Sequence, residues 1–334
     1  IADGSKYFDT KLYTGNGGTQ TLSGLGFSPD MVWFKNRTSA VNHHLLDTVR
    51  GANNGANVLY PNLTNAEGAN SSLTAFTSDG FTVGSNDSVN KNNNAIAAWA
   101  WDGGTSTVTN NDGSIASQVR ANPSAGFSIV TYTGTGSSAT VGHSLNVAPA
   151  IYIIKSRSGT TNWQVSTTVI DGSHDYLILN STAAKQDSGR AAPTSSVFST
   201  GSGSDLNGSG STYVAYCFAP VAGYSAMGQF SGNGSTDGPF VHTGFKTSWL
   251  LVKNTSASRN WVLLDTARSD FNVANDALYT DLSNAEDTGT GWVDILSNGF
   301  KVRTNNASYN ASGNTYIYLA FASNPFQANG GLAR

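Results

Sequence analysis

The chain has 334 residues and a net charge of −3, from 18 Lys+Arg against 21 Asp+Glu. Charged residues make up 12% of it, about half the usual share, so no basic field exists to hold a phosphate backbone and nucleic acid is excluded as an expected partner. Apolar runs on the scale of Ala95–Trp101 fall far short of the roughly 20 residues a membrane helix needs, which excludes membrane insertion by that route.

With 37 glycines, 8 prolines and 10% aromatic residues, the chain reads as short strands and tight turns. At about 150 residues per domain, its length suits two domains or three small ones. In chain order, Tyr13 precedes a Thr14-Gly15-Asn16-Gly17 turn, an apolar run Val32-Trp33-Phe34 ends in Lys35, and Asn42-His43 follows seven residues on. Asp79-Gly80 before Phe81 predicts a hairpin with a type I′ turn. The segments 39–50 and 62–67 predict at most a turn or so of helix, since neither carries an apolar stripe. Ala95–Trp101 alternates large and small residues and reads as a strand buried on both faces. Residues 105–125 have loop composition, with one short strand at 115–119, and predict a linker.

The pattern then returns twice. Tyr132 precedes Thr133-Gly134-Thr135-Gly136, Tyr152-Ile153-Ile154 ends in Lys155, Asn162-Trp163 follows at the same spacing, and Thr212–Phe218 closes the copy. Phe230 precedes Ser231-Gly232-Asn233-Gly234, Leu250-Leu251-Val252 ends in Lys253, Asn260-Trp261 follows, Asn298-Gly299 predicts a second hairpin, and Thr315–Phe321 closes the third. A period near 100 residues matches a common β-sandwich size. The expected fold is all-β: three tandem antiparallel β-sandwich domains of jelly-roll or concanavalin-like type, at 1–104, 126–222 and 223–334. The second and third, joined at 220–223, are expected to touch. Such units in series would make a stiff rod.

Little in the chain points to catalysis. A G-x-S-x-G elbow, an H-E-x-x-H pair, a P-loop and a dinucleotide fingerprint are all missing from the sequence. Cys217 is the single cysteine, which excludes an intrachain disulfide, and it occupies the slot held by Ala100 and Ala320, so it reads as a small hydrophobe. His43-His44 is the only adjacent histidine pair, and neighbours on a strand face opposite ways. Asn110-Asn111-Asp112-Gly113 carries oxygen donors suited to calcium but lacks EF-hand spacing, and turn formation is the commoner reason for such strings. No cofactor is expected, calcium being the one candidate.

Carboxylates recur in a set. Asp47, Arg50 and Glu67 return as Asp265, Arg268 and Glu286, whereas the second copy has Thr167, Ile170 and Lys185. An arginine and a glutamate that vanish together predict a structural clasp, with Asp47/Glu67 and Asp265/Glu286 as the pairs a glycan-cleaving alternative would use. Trp163, Trp261 and Trp292 lie in polar sequence and are candidates for stacking a sugar ring, Trp292 being the better exposed by expectation. Packing on a core or strand edge is the competing role for His43, Trp163 and Trp261, because their spacing recurs.

The runs Tyr13-Thr-Gly-Asn-Gly, Gly24-Leu-Gly-Phe-Ser-Pro-Asp-Met-Val-Trp-Phe-Lys, Leu46-Asp-Thr-Val-Arg-Gly, Thr64-Asn-Ala-Glu and Phe76-Thr-Ser-Asp-Gly-Phe-Thr-Val-Gly resemble a repeat of structural proteins from marine tailed bacteriophages, many of which infect cyanobacteria. Gly126-Phe-Ser-Ile-Val-Thr-Tyr, Ser211-Thr-Tyr-Val-Ala-Tyr-Cys-Phe, Asp237-Gly-Pro-Phe-Val-His-Thr-Gly-Phe and Ala320-Phe-Ala-Ser-Asn-Pro-Phe resemble its later copies. Ala100 departs from the pattern, which tends to place a cysteine there in the first copy. The resemblance implies a non-enzymatic virion appendage such as a tail-fibre segment, located on the virion surface. Its implied partners are other virion proteins and a host glycan or surface receptor, and its implied association is a homo-oligomer such as a trimer. A capsid decoration protein and a polysaccharide-degrading tailspike are the alternatives. In such proteins the repeat often follows another module, which would account for a start at Ile1.

Overall fold

The computed structural model describes residues 1, 3–51 and 57–322. Residues 323–326 of the last resemblance run, and the expected boundary at 334, lie outside them. The described chain is almost entirely strand and turn. Its first hundred residues form β1 (Phe8–Thr14), β2 (Gln20–Leu22), β3 (Met31–Asn36), β4 (His44–Asp47), β5 (Leu73–Thr77), β6 (Gly80–Val83), a four-residue helix α1 (Asp87–Asn90) and β7 (Ala95–Trp101). A four-stranded antiparallel sheet in the order β1-β7-β3-β4 faces a three-stranded sheet in the order β2-β6-β5. Phe34, Leu46, Ala98 and Ala100 from the larger sheet meet Leu22, Leu73, Phe81 and Val83 from the smaller.

The same order recurs along the chain. Next come β8 (Thr107–Asn110), β9 (Ser117–Asn122), β10 (Phe127–Thr133), β11 (Ala139–Gly142), β12 (Ile151–Ser156), β13 (Gln164–Thr167), β14 (Asp175–Ile178), β15 (Gln186–Asp187), β16 (Val197–Thr200), α2 (Ser204–Asn207) and β17 (Thr212–Phe218). The last group is β18 (Ser225–Ser231), β19 (Phe240–His242), β20 (Trp249–Asn254), β21 (Val262–Asp265), β22 (Leu278–Tyr279), β23 (Val293–Leu296), β24 (Gly299–Val302), α3 (Ala307–Asn310) and β25 (Thr315–Phe321). Within the larger sheets, β10-β17-β12-β13 and β18-β25-β20-β21 repeat the β1-β7-β3-β4 order.

The closing strands of the three copies are buried on both faces for a reason the alternation encodes. In β7, Ala98 and Ala100 face the copy's own small sheet, while Ala97, Trp99 and Trp101 enter a second core. The pattern holds in β17, with Ala215 and Cys217 inward and Val214, Tyr216 and Phe218 on the other side. In β25 it is Tyr318 and Ala320 against Ile317, Leu319 and Phe321. That second core is common to all three copies. Trp101 and Trp249 meet edge to face at 5.7 Å, Phe8 stacks on Phe321 at 5.2 Å, and Phe218 reaches Phe321 at 6.0 Å. The copies therefore close around one aromatic centre and do not lie in series, which corrects the expectation of a rod. Burying a second face of each large sheet is worth more apolar area than end-to-end contact offers.

Three local expectations change. Residues 105–125 are no free spacer: β8 and β9 form a hairpin that adds to β10 at the edge of an eight-stranded sheet, and Ile115 bridges Val141. The segment 39–50 holds β4 and no helix, while among the described residues the helices that do form are the three four-residue turns α1, α2 and α3 and a 3-10 turn at Gly4–Lys6. The hairpins at Asp79-Gly80 and Asn298-Gly299 exist, with Thr77 opposite Gly80 and Leu296 opposite Gly299. The central residues are therefore Ser78-Asp79 and Ser297-Asn298, and none of the four has a positive φ, so the turns are not type I′. Gly80 is needed for space: a Cβ there would lie 1.9 Å from the Leu22 carbonyl oxygen.

The Gly-x-Gly landmarks have a different cause. A Cβ on Gly15, Gly134 or Gly232 would lie 2.2, 2.3 or 2.3 Å from the carbonyl oxygen just past the short helix, and Gly17, Gly136 and Gly234 have φ of +73°, +80° and +72°. The loop is pinned by a buried asparagine at the helix end, since Asn90, Asn207 and Asn310 accept the backbone N–H of Asn16, Thr135 and Asn233 at 2.8–2.9 Å.

Candidate functional site

Asp47 ends β4, and the chain turns at once so that Arg50 folds back on it. Asp47 Oδ1 accepts the Arg50 backbone N–H at 2.9 Å and Oδ2 accepts Arg50 Nε at 2.5 Å. Arg50 Nη1 then donates to Glu67 Oε1 at 2.6 Å and to the Asn57 carbonyl at 2.5 Å, while Nη2 reaches the Leu45 carbonyl at 3.1 Å. Both side chains of the Arg50–Asp47 pair are fully buried. Burial opposes the arginine's charge, but Asp47, Tyr216 and Glu67 override it and hold its pKa above the ordinary value.

Asp265, Arg268 and Glu286 repeat the arrangement. Arg268 donates from its backbone N–H and Nε to Asp265 at 2.9 and 2.6 Å, and from Nη1 to Glu286 and the Asp276 carbonyl at 2.8 and 2.7 Å. Each triad also takes two residues from the next copy around the centre. Tyr216 donates its hydroxyl to Asp47 Oδ2 at 2.6 Å, and Arg157 grips Glu67 Oε2 through Nη2 and Nε at 2.8 and 3.0 Å. Trp99 Nε1 donates to Asp265 Oδ2 at 2.9 Å, and Arg37 Nη2 donates to Glu286 Oε2 at 2.6 Å.

Where the second copy carries Thr167, Ile170 and Lys185, the facing residues have changed too. Leu319 stands at the position of Trp99 and Tyr216, and Thr255 at the position of Arg37 and Arg157. Ile170 and Leu319 both belong to the shared core. The backbone bond survives: Lys185 N–H donates to the Thr255 carbonyl at 2.9 Å, as Glu67 does to Arg157 at 2.7 Å and Glu286 to Arg37 at 2.8 Å. Lys185 turns its ammonium to Asp171 and the buried Asp175 at 2.6 and 3.1 Å.

The Asn-ring pairs complete the closure. Trp163 Nε1 donates to the Tyr60 carbonyl of the first copy at 2.9 Å, Trp261 Nε1 to the Ile178 carbonyl of the second at 2.9 Å, and His43 Nε2 lies 3.0 Å from the Tyr279 carbonyl of the third. Because His43 Nδ1 accepts from Trp33 Nε1 at 3.0 Å, the proton sits on Nε2 and the bond to Tyr279 is a donation. Burial, with Lys35 nearby, keeps the His43 ring neutral by lowering its pKa well below the ordinary value. The lysines join in: Lys35 Nζ donates to the Ser283 carbonyl at 3.0 Å and Lys253 Nζ to the Thr182 carbonyl at 2.9 Å.

These positions correct the stacking expectation. Trp163, Trp261 and Trp292 are 0%, 3% and 1% exposed, so none of the three presents a ring face to a sugar. Two seal contacts between copies, and Trp292 packs against Tyr309 at 5.6 Å in the third copy's own core. Each candidate carboxylate pair is bridged by a buried arginine, which leaves no room between the two carboxyls for a glycosidic bond. His44 bonds Ser72 Oγ at 2.6 Å, and burial lowers its pKa to about 3. Burial pushes the Cys217 thiol up to about 12, which disfavours the thiolate that any nucleophilic role requires. In the 110–113 turn, Asn110 Oδ1 accepts the Asp112 N–H at 2.8 Å and Asn110 Nδ2 donates to Asp112 Oδ2 at 2.9 Å, a self-satisfied turn. Among the described residues, no group of three or more His, Cys, Asp or Glu is placed to hold a metal ion.

The triads were legible in the first and third copies, but their partners Tyr216, Arg157, Trp99 and Arg37 were not. The signal that identifies them is co-variation displaced by one copy: when the triad is lost from the second copy, its two partners are lost from the third. Residues 3–325 match the family described as Domain of unknown function (DUF7483), and the chain belongs to that family. No curated protein matches it.

Proposed function

We propose that the chain is a non-enzymatic bacteriophage virion protein, a tail-fibre or other tail segment that presents loops to a host-surface glycan or receptor. It is built as three β-sandwich repeats of jelly-roll or concanavalin-like type. One observation carries the non-enzymatic part: the recurring acid, base and ring residues are consumed in contacts between copies. Asp47, Arg50, Glu67, Asp265, Arg268 and Glu286 act as structure, and no cofactor is invoked. The resemblance of the tripled motifs to virion proteins of marine tailed phages supports the location on the virion surface, with neighbouring virion proteins as partners. The reading includes self-association, a trimer in its simplest form, which light scattering of the purified chain tests.

Immunogold labelling of intact phage particles with an antibody to the chain tests the location. Label at the tail supports the proposal, label on the head supports the decoration alternative, and particles without label refute both. Incubation with host polysaccharide tests the remaining alternative, since release of oligosaccharides would make the protein an enzyme.

A further inference from the structure

Phe271 is 81% exposed, far beyond any other aromatic residue among the described ones, the next being Phe240 at 45%. It stands at the rim of a cleft of about 410 Å³ that Lys246, Asp270, Asn272, Leu296 and Ser297 also line, within the roughly 300–1,000 Å³ typical of small-ligand sites. A mobile loop would lay such a ring on Ile295 and Leu296 beside it, because leaving a phenyl group in water forgoes the free energy of burying it. This loop is not free to do so. Asn272 Nδ2 donates to the Ile295 carbonyl at 3.0 Å while its Oδ1 accepts the Ile295 N–H at 2.8 Å, clamping the residue next to Phe271 to the β23 edge. Ser269 Oγ, on the other side, donates to Asp276 Oδ2 at 3.0 Å, and Arg268 of the clasp holds the Asp276 carbonyl at 2.7 Å.

We propose that this cleft is a saccharide subsite, with Phe271 stacking on the apolar face of one sugar ring and the Asp270 carboxylate and Ser297 hydroxyl receiving its hydroxyl groups. The chemistry favours a sugar over a protein partner. An exposed ring bordered by a carboxylate and a hydroxyl matches a ligand with one C–H face and a rim of hydroxyls, whereas a protein interface calls for a contiguous apolar patch. The ring is particular to the third copy in sequence, because counting from Arg268 the position of Phe271 is Ser173 in the second copy and Asn53 in the first. The proposal deepens the host-attachment reading and rests on it for biological meaning, but the binding is testable apart from it.

The test is saturation-transfer NMR and calorimetry on the whole chain with three probes: maltohexaose, chitohexaose and an alginate hexamer. The expected result is binding of at least one probe, a loss of about tenfold or more in Phe271→Ala, and no change in Phe240→Ala, with both variants melting as wild type. Absence of binding by all three at millimolar concentration, or a Phe271→Ala variant that binds as wild type, overturns it. Labelled chain applied to cyanobacterial cells separates the two levels. Adhesion unaffected by Phe271→Ala overturns the subsite and leaves attachment standing. Oligosaccharide binding without adhesion supports the subsite and refutes attachment to those cells. Adhesion that Phe271→Ala abolishes but that protease treatment of the cells also abolishes assigns the cleft to a protein and overturns the saccharide proposal.

Discussion

Replacing Asp281 with asparagine should stabilise the protein at neutral pH and lose that advantage in acid. Asn62, Asn180 and Asp281 perform one task in the three copies, accepting the backbone N–H of His43, Trp163 and Trp261 at 3.0, 2.8 and 3.1 Å. The two asparagines also donate Nδ2 to Asn42 and Asn162 at 2.9 and 3.0 Å. Asp281 has no such proton: its Oδ2 is buried without a hydrogen-bond partner, and burial raises its pKa to about 6. An acid whose folded pKa lies above its unfolded value destabilises the fold when ionised, so the penalty is full above pH 6, shrinks as pH falls through 6 and is gone below 3.8. About two pKa units at 1.36 kcal/mol each set an upper figure near 3 kcal/mol at pH 7, falling to about 1 kcal/mol at pH 4.5. Urea denaturation of wild type and Asp281→Asn at the two pH values reads this directly. A gain of equal size at both, or a loss at pH 7, would refute the reasoning.

Arg50→Ile should cost about 3–5 kcal/mol in thermal or urea unfolding, because it leaves Asp47 and Glu67 buried without their cation, and should leave oligosaccharide binding unchanged. Adding Asp47→Thr and Glu67→Lys together with the matching partner changes Tyr216→Leu and Arg157→Thr should recover part of that loss, and a combined variant less stable than the single one would count against the clasp. Cys217 should fail to react with a thiol reagent at pH 8 until the protein is unfolded, since it is buried with its pKa pushed up to about 12; rapid labelling of the native protein contradicts the burial. Gly80→Ala should lower the melting temperature by several degrees by driving a methyl group into the Leu22 carbonyl, and an unchanged melting temperature would show that the turn can shift.

Much of the architecture was readable because it is written three times. Strand positions follow from the alternation in Ala95–Trp101, Thr212–Phe218 and Thr315–Phe321, and the recurrence of Asp47, Arg50 and Glu67 pointed to a clasp before any geometry was known. What a single chain hides is which copy answers which. Both faces of those strands are apolar, and apolarity alone does not distinguish a domain core from a contact between domains. The tryptophans misled for a related reason. Trp163 and Trp261 sit in polar sequence because their indole N–H groups meet backbone carbonyls of the neighbouring copy, and a local reading takes that polarity for water. Residues 105–125 looked like a spacer since an edge hairpin such as β8–β9 keeps one face in solvent, and half its side chains are accordingly polar.

Three similar surfaces joined head to tail carry a hazard, because a third copy can dock on the first copy of a different molecule and begin an open polymer. The seams are not interchangeable, however. Those between first and second and between third and first copies carry charged clasps, while the seam between second and third, whose connection at 220–223 is shortest, has no clasp and is held by Ile170, Leu319 and bonds to backbone carbonyls from Trp261, Lys253 and Lys185. A short tether already holds that pair at high effective concentration; the seam without a direct tether has the Arg37–Glu286 lock. The lock strengthens the third-to-first seam within one molecule and between molecules alike, so it is the effective concentration of copies on one chain that favours the closed ring over a domain-swapped filament.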